Sequence, residues 1–199
     1  MTRFYLMRHG ETEWNRDRNR YCGRSDIPLS DVGREQAAAA SLQLVGIDLV
    51  YASDLRRAID TATFIAQHRQ LPILMDERLT EADFGSWDGL WGNDIEERYP
   101  DCWNSWKADP TSVKAGETGE SGLEIYRRMD GFFKEKAMEH PGKRILVVSH
   151  STAIRIYLAG MLSMPLRAYR QLTVSNATIS VLETSEEEGM RLLLLNGTY

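Results

Sequence analysis

"RILVVSH", residues 144–150, is the clearest buried strand of the chain. Ile145, Leu146, Val147 and Val148 follow one another with no polar alternation. Such a run marks a strand buried on both faces, as in a parallel sheet covered by helices on each side. Ser149 and His150 end it, and a helix over 152–162 stands directly behind. The same strand-then-helix unit recurs on either side. Phe4 to Met7 reads as a short buried strand. "IDLVYASD" (47–54) is another, followed by a helix from about Leu55 to His68, and "LPILMD" (71–76) is a third candidate. Ser30 is placed to cap a helix that runs through the alanines 37–40 and ends near Gly46. "ESGLEIYRRMDGFFKEKAMEH" (120–140) has helical apolar spacing at Leu123, Tyr126, Met129 and Phe133 and stops at Pro141-Gly142. "TISVLET" (178–184) and "MRLLLLN" (190–196), parted by an acidic turn from Glu186 to Gly189, read as a closing hairpin. Strands alternating with helices predict a three-layer α/β/α fold with a mainly parallel central sheet.

The segment from about 86 to 117 departs from this alternation. It holds Trp87, Trp91, Trp103 and Trp106, four of the five tryptophans. It is expected to form a small helical lid over the sheet edge, so that residues 1–199 make one domain with an insertion. At least two of these rings are expected to fill a satellite core; the competing use is to stack on a substrate ring.

A chain of 199 residues, 42% hydrophobic, can bury a full core without disulfides. Cys22 and Cys102 have no CxxC spacing, which argues against a zinc site or a disulfide scaffold and fits a reducing compartment. The opening residues show no basic-then-apolar leader, and the first apolar run is too short to span a membrane. A cytoplasmic protein without membrane contact is the expectation. The net charge of -5 disfavours general nucleic-acid binding. Yet residues 1–24 carry six arginines (3, 8, 16, 18, 20 and 24) against Glu11, Glu13 and Asp17. A basic segment in an acidic chain points to a small anionic ligand.

Ligands of open parallel sheets sit beyond the carboxyl ends of the strands. That rule brings the residues after each strand together: Arg8 and His9, Ser53 and Arg57, and His150. With Glu81 they make a cationic pocket. Arginine offers planar paired donors that match phosphate oxygens. A neutral imidazole can attack phosphorus, and a carboxylic acid kept protonated can give its proton to the leaving oxygen. Gly10 would let the backbone turn sharply and bring its own groups near the His9 ring, one of whose nitrogens should donate to a fixed carbonyl. No cofactor is implied, and flanking arginines would repel a metal cation. Asp83 and Asp88 are rival acids. Ser53 should shape its turn, Arg56 should be solvated, and Glu11 and Glu13 suit a helix N-terminus. His68 and His140 read as exposed helix-end residues.

The stretches "LMRHGETEWN" (6–15), "GRSDIPLSDVGREQA" (23–37), "SDLRRAIDTA" (53–62), "LTEADFGSWDG" (79–89), "GES" (119–121) and "ILVVSH" (145–150) occur in the order, and with the content, of one family. The chain resembles the histidine phosphatase superfamily, its phosphoglycerate mutase-like branch. The resemblance implies that His9 becomes phosphohistidine, that Arg8, Arg57 and His150 surround the phosphate, and that Glu81 is the proton donor. It implies a phosphate contact from Asn15 and backbone amides near the phosphate at Cys22 and Gly23. The family's Gly-rich turn after the second histidine is replaced by "SHSTAIR", where Ser151 and Thr152 could cap the helix and Ser151 could reach the phosphate.

The function implied is hydrolysis of a small phosphorylated metabolite. A phosphoglycerate mutase is the first alternative. Only 38 residues separate Glu81 from Glu120, a short lid that favours entry of water. A non-catalytic binding module on the same fold is the second, disfavoured because all five core groups are present. Arg16, Arg18, Arg20 and Arg24 are candidates for a carboxylate or second phosphate. The hairpin and the lid are the surfaces from which a homodimer contact would come.

Overall fold

In the computed structural model, which describes residues 1–16, 20–185 and 189–197, the strands are β1 (Arg3–Arg8), β2 (Leu49–Ala52), β3 (Ile73–Met75), β4 (Arg144–Ser149), β5 (Ile179–Ser185) and β6 (Gly189–Gly197). They form one sheet in the order β3-β2-β4-β1-β5-β6. β4 sits between β2 and β1, and β1 to β4 run parallel. β5 returns antiparallel to β1, and β6 antiparallel to β5. Of the acidic turn expected at Glu186–Gly189, residues 186–188 lie outside the described residues.

The helices are α1 (Glu13–Arg16), α2 (Asp31–Gln43), α3 (Arg56–Gln67), α4 (Gly92–Arg98), α5 (Pro100–Ala108), α6 (Gly122–Glu139) and α7 (Ser151–Met161). Side chains alternate across the pleat, so each central strand feeds two cores. Phe4, Leu6, Ile145 and Val147 face α6 and α7. Tyr5, Met7, Leu146 and Val148 face α2 and α3. Full burial of one such side chain contributes about 1.5–3 kcal/mol. Ser30 caps α2 by accepting the Gly33 N–H, and Ser121 with Glu124 forms a capping box on α6.

Four expectations change. The buried stripe of α6 is Ile125, Met129, Phe132 and Phe133, while Leu123 and Tyr126 are half-buried. The correct stripe follows the i, i+4, i+7, i+8 pattern, and Tyr126 instead lies over Gly160 of α7. His140 is half-buried, because its Nε2 meets the Tyr51 hydroxyl at 2.9 Å; His68 is exposed as expected. The lid tryptophans are no satellite. Trp87, Trp103 and Trp106 are buried within the same core as α6 and α7. They meet edge to face, with ring centroids 5.5 and 6.0 Å apart.

The loop after β1 needs glycine for space. A Cβ on Gly10 would stand 2.4 Å from the Gly33 carbonyl oxygen, and one on Gly33 would stand 2.0 Å from that of Glu11. Gly10 has no left-handed backbone angle, so the demand is close packing against α2 and not the sharp turn expected.

Candidate active site

Arg8 pairs with Ser149 across the sheet, and Ala52 with Val148. The three central parallel strands therefore end side by side and deliver His9, Ser53 and His150 to one edge. A cavity of about 400 Å³ opens there, lined by Arg8, His9, Asn15, Tyr21, Cys22, Glu81, Ser151, Arg155, Tyr169 and Arg170 among others.

His9 is buried, and its Nδ1 lies 2.6 Å from the Gly10 carbonyl oxygen. A carbonyl only accepts, so Nδ1 carries the proton and Nε2 is left with its lone pair. The His150 ring centroid is 5.0 Å from that of His9. Arg57 Nε donates to His150 Nδ1 at 3.2 Å, which places the proton of neutral His150 on Nε2. That Nε2 is buried and has no partner among the described residues, and the same holds for Arg8 Nε. Two orphaned donors beside a free imidazole nitrogen define a place for an anion.

Burial pulls both histidines well below their ordinary value, with Arg57 the next cause for each. Burial also takes Arg8 down to about 10, opposed by Glu81 and reinforced by Arg155 and Arg57. The histidines are thus neutral in the folded chain, while the unfolded chain takes up protons below about pH 6.5. Stability is therefore retained above that value and lost as pH falls below it. Between pH 6.5 and 5.5 the expected loss is about 1 kcal/mol per histidine. Urea midpoints measured across this window should fall in the native chain and fall less in His9→Gln; equal slopes would show that the histidines do not carry the effect.

Arg57 is 1% exposed. Its other bonds go to the carbonyls of Cys22, Gly23 and Ser25, so most of its donors fix the loop over 22–25 and the His150 ring. The Gly23 amide does not face the cavity: it donates to Asp88. Cys22 does line the cavity, and burial pushes its thiol up to about 11. Asn15 lines it too, with its Oδ1 accepting from Asn176 at 3.3 Å.

Glu81 Oε1 accepts the N–H groups of Ala82 and Ala153, and Oε2 that of Thr152. The helix after the second histidine is thus capped by Glu81, from across the site, and not by the Ser151 or Thr152 hydroxyl. Arg128 of α6 holds the acid's loop from behind, donating to the carbonyls of Arg78 and Thr80 at 2.7 Å and of Glu81 at 3.2 Å. The rival acids are engaged elsewhere. Asp83 accepts the Gly85 N–H, and Asp88 takes the Gly23 and Ser25 amides. Ser53 accepts the Leu55 N–H, as its turn role requires, and Arg56 is exposed beside Asp60.

Of the arginines expected to meet a second anion, Arg16, Arg20 and Arg24 do not line this cavity. Arg16 pairs with Glu13 and Arg24 with Glu120. Arg20 stacks on Trp14 and Trp91. Arg18 lies outside the described residues. No tryptophan lines the cavity, so none is placed to stack on a ring there. The residues missed in the sequence are Arg155, Tyr169, Arg170 and Tyr21. Arg155 sits one turn past His150 in "SHSTAIR", a signal that was present; Arg170 has no local pattern.

Among the described residues, no helix is long and apolar enough to cross a membrane. A family model described as the histidine phosphatase superfamily (branch 1) matches residues 4–198. Phosphoserine phosphatase 1 of Hydrogenobacter thermophilus is 33% identical, with 98% of this chain and 92% of that protein aligned. A probable phosphoglycerate mutase GpmB of Cronobacter sakazakii is 35% identical over 90% of this chain and 84% of its own. The structure of a mycobacterial glucosyl-3-phosphoglycerate phosphatase in complex with VO3 superposes with a TM-score of 0.87 at 30% identity, covering 98% of this chain and 99% of that one.

Proposed function

The chain belongs to the histidine phosphatase superfamily, branch 1, and from that premise we propose that it hydrolyses a small phosphomonoester through a phosphohistidine formed at His9. The observation that carries the reading is the His9 ring, fixed through Nδ1 with Nε2 free, beside two buried donors that have no partner among the described residues.

In this mechanism the phosphoryl group settles against Arg8 Nε and His150 Nε2. His9 Nε2 attacks phosphorus as the ester bond breaks, and Glu81 gives its proton to the leaving oxygen. Oε2, which accepts only one N–H, is the oxygen with room for that proton. Donation leaves a carboxylate that the N–H groups of Ala82, Thr152 and Ala153 already face. Water then attacks the phosphohistidine while Glu81 takes the proton back. Arg57 is the positioning residue that sets the His150 tautomer. Asn15 and Ser151 add contacts at the rim, and Cys22 packs beside the group. Trp87, Trp103 and Trp106 of the lid are committed to the core, and the cavity is larger than one phosphate needs. Both features favour hydrolysis over a mutase, which must keep water from its phosphoenzyme.

Histidine phosphatases need no metal ion. Among the described residues no three His, Cys, Asp or Glu side chains gather as a cation would require. Turnover of p-nitrophenyl phosphate in EDTA should equal that with added magnesium. A chelation loss restored by a divalent ion would overturn the mechanism.

A further inference from the structure

We infer that Arg155 and Arg170 form a second anion-binding position on the wall of the His9 cavity, so that the preferred substrates carry a carboxylate or a second phosphoryl group on the alcohol side. The inference rests on the phosphatase reading and names the substrate class of that site.

Both guanidinium groups line the cavity that His9 lines. Neither forms an ion pair among the described residues, whereas eight other arginines do. Among the described residues the only acid on the wall is Glu81, and both its oxygens are already engaged by N–H groups of the chain. A single phosphate is answered by Arg8 and His150 deeper in the site. Two further cations without counter-charge exceed what that group needs.

Their placement is built. The ring of buried Tyr169 carries both, with guanidinium carbons 5.2 and 5.4 Å from its centroid. Arg170 also lies 5.2 Å from the Trp103 centroid. Trp106 Nε1 donates to the Tyr169 hydroxyl at 3.0 Å, which ties this platform to the lid core. Arg155 Nε is held by the Ser151 carbonyl at 3.1 Å. The Tyr21 hydroxyl beside Arg170 adds no negative charge, since burial pushes it up to about 12. The planes of both arginines are fixed, and their further partners are neutral: Arg155 Nη2 approaches the Thr152 hydroxyl at 3.5 Å, and Arg170 hydrogen-bonds the Tyr21 hydroxyl, so neither charge is balanced. Stacking of this kind orients a guanidinium for paired recognition of a carboxylate or phosphate. Exposure rises from buried His9 through half-buried Arg155 to exposed Arg170. A substrate would enter with its phosphate inward and its second anion at the rim.

The test compares substrates that differ in the remote anion alone. O-phosphoserine is set against O-phosphoethanolamine, and propane-1,3-diol bisphosphate against propyl phosphate. p-Nitrophenyl phosphate reports the phosphoryl transfer itself. In the native chain the anionic member of at least one pair should have a kcat/KM about 10- to 100-fold higher, the worth of one or two charge-assisted hydrogen bonds. The pair that shows the preference identifies carboxylate or phosphate. In Arg155→Gln/Arg170→Gln the ratio should fall toward one, and it should fall with added salt in the native chain. Arg170→Gln alone, at an exposed position, serves if the double variant does not fold. A native ratio near one in both pairs, or a ratio unchanged in the variants, overturns the inference. If p-nitrophenyl phosphate is not turned over, the phosphatase reading has failed separately. The ratio is then read from calorimetric Kd values of the same pairs on His9→Ala, and it decides the anion position by itself.

Discussion

Replacing His9 by alanine is expected to lower kcat/KM by at least about 10⁴-fold, the scale on which loss of a nucleophile acting with its partners is felt. The reason lies in how the group is set up. Its Nδ1 proton is held by the Gly10 carbonyl, its ring is buried, and Arg57 and Arg8 discourage protonation. It is therefore a free base throughout the neutral range and needs no separate general base. Rapid quenching with labelled substrate should trap a phosphoenzyme stable to alkali and labile to acid, as a phosphoramidate is. Peptide mapping should place the label on His9, and His9→Ala should take up none. His150→Ala keeps the nucleophile and loses an orphaned donor, so labelling should persist and slow. Label found on His150, Ser53 or Ser151 would show that the nucleophile is another residue even if the protein hydrolyses phosphoesters.

Glu81→Gln is expected to separate substrates by their leaving groups. Alkyl phosphates should slow by about 10²- to 10⁴-fold, the range of a lost general acid. p-Nitrophenyl phosphate, whose phenolate departs without a proton, should slow far less. Glutamine keeps the shape of the side chain, but one of its two acceptor positions becomes an NH2. It therefore faces the Ala82, Thr152 and Ala153 N–H groups with one oxygen in place of two. Part of any loss comes from that weaker cap, and a thermal melt run on the same variant measures it. Because a cap defect acts on every substrate alike, only the difference between leaving groups reports proton transfer. An equal loss on both classes would mean that Glu81 serves α7 and not the leaving oxygen.

The frame of the molecule was readable from local signals. Ile145–Val148 is apolar on both faces because both are covered, and Ser30 and Ser121 cap because their side chains reach N–H groups three residues on. The pocket around Arg8, His9, Glu81 and His150 was readable for a related reason: each follows a strand or turn whose pattern is short. What stayed hidden depends on distant partners. Glu81 closes a helix some seventy residues away, a bond no neighbouring residue announces. Arg155 and Arg170 come from a helix interior and a 3₁₀ turn, and only the Tyr169 ring brings them together. Arg20 and Arg24 carry the charge expected of an anion site, yet Trp14 and Trp91 hold one and Glu120 the other. Charge counting along a chain does not say which way a side chain turns.

The two ends of the lid segment meet at a pinch. The Asp83 N–H donates to the Glu120 carboxylate and its carbonyl accepts the Glu120 N–H, both at 2.9 Å. Arg128 binds that same carboxylate at 2.7 and 3.0 Å and grips the carbonyls leading up to Glu81. Everything from Phe84 to Gly119 therefore hangs as a loop from a closed neck, with the acid on the inner side of the knot. In evolutionary terms this is a module boundary. Changes in the exposed turns beyond the neck leave the Glu81 loop anchored, whereas changes at Trp87, Trp103 or Trp106 reach the core shared with α6 and α7.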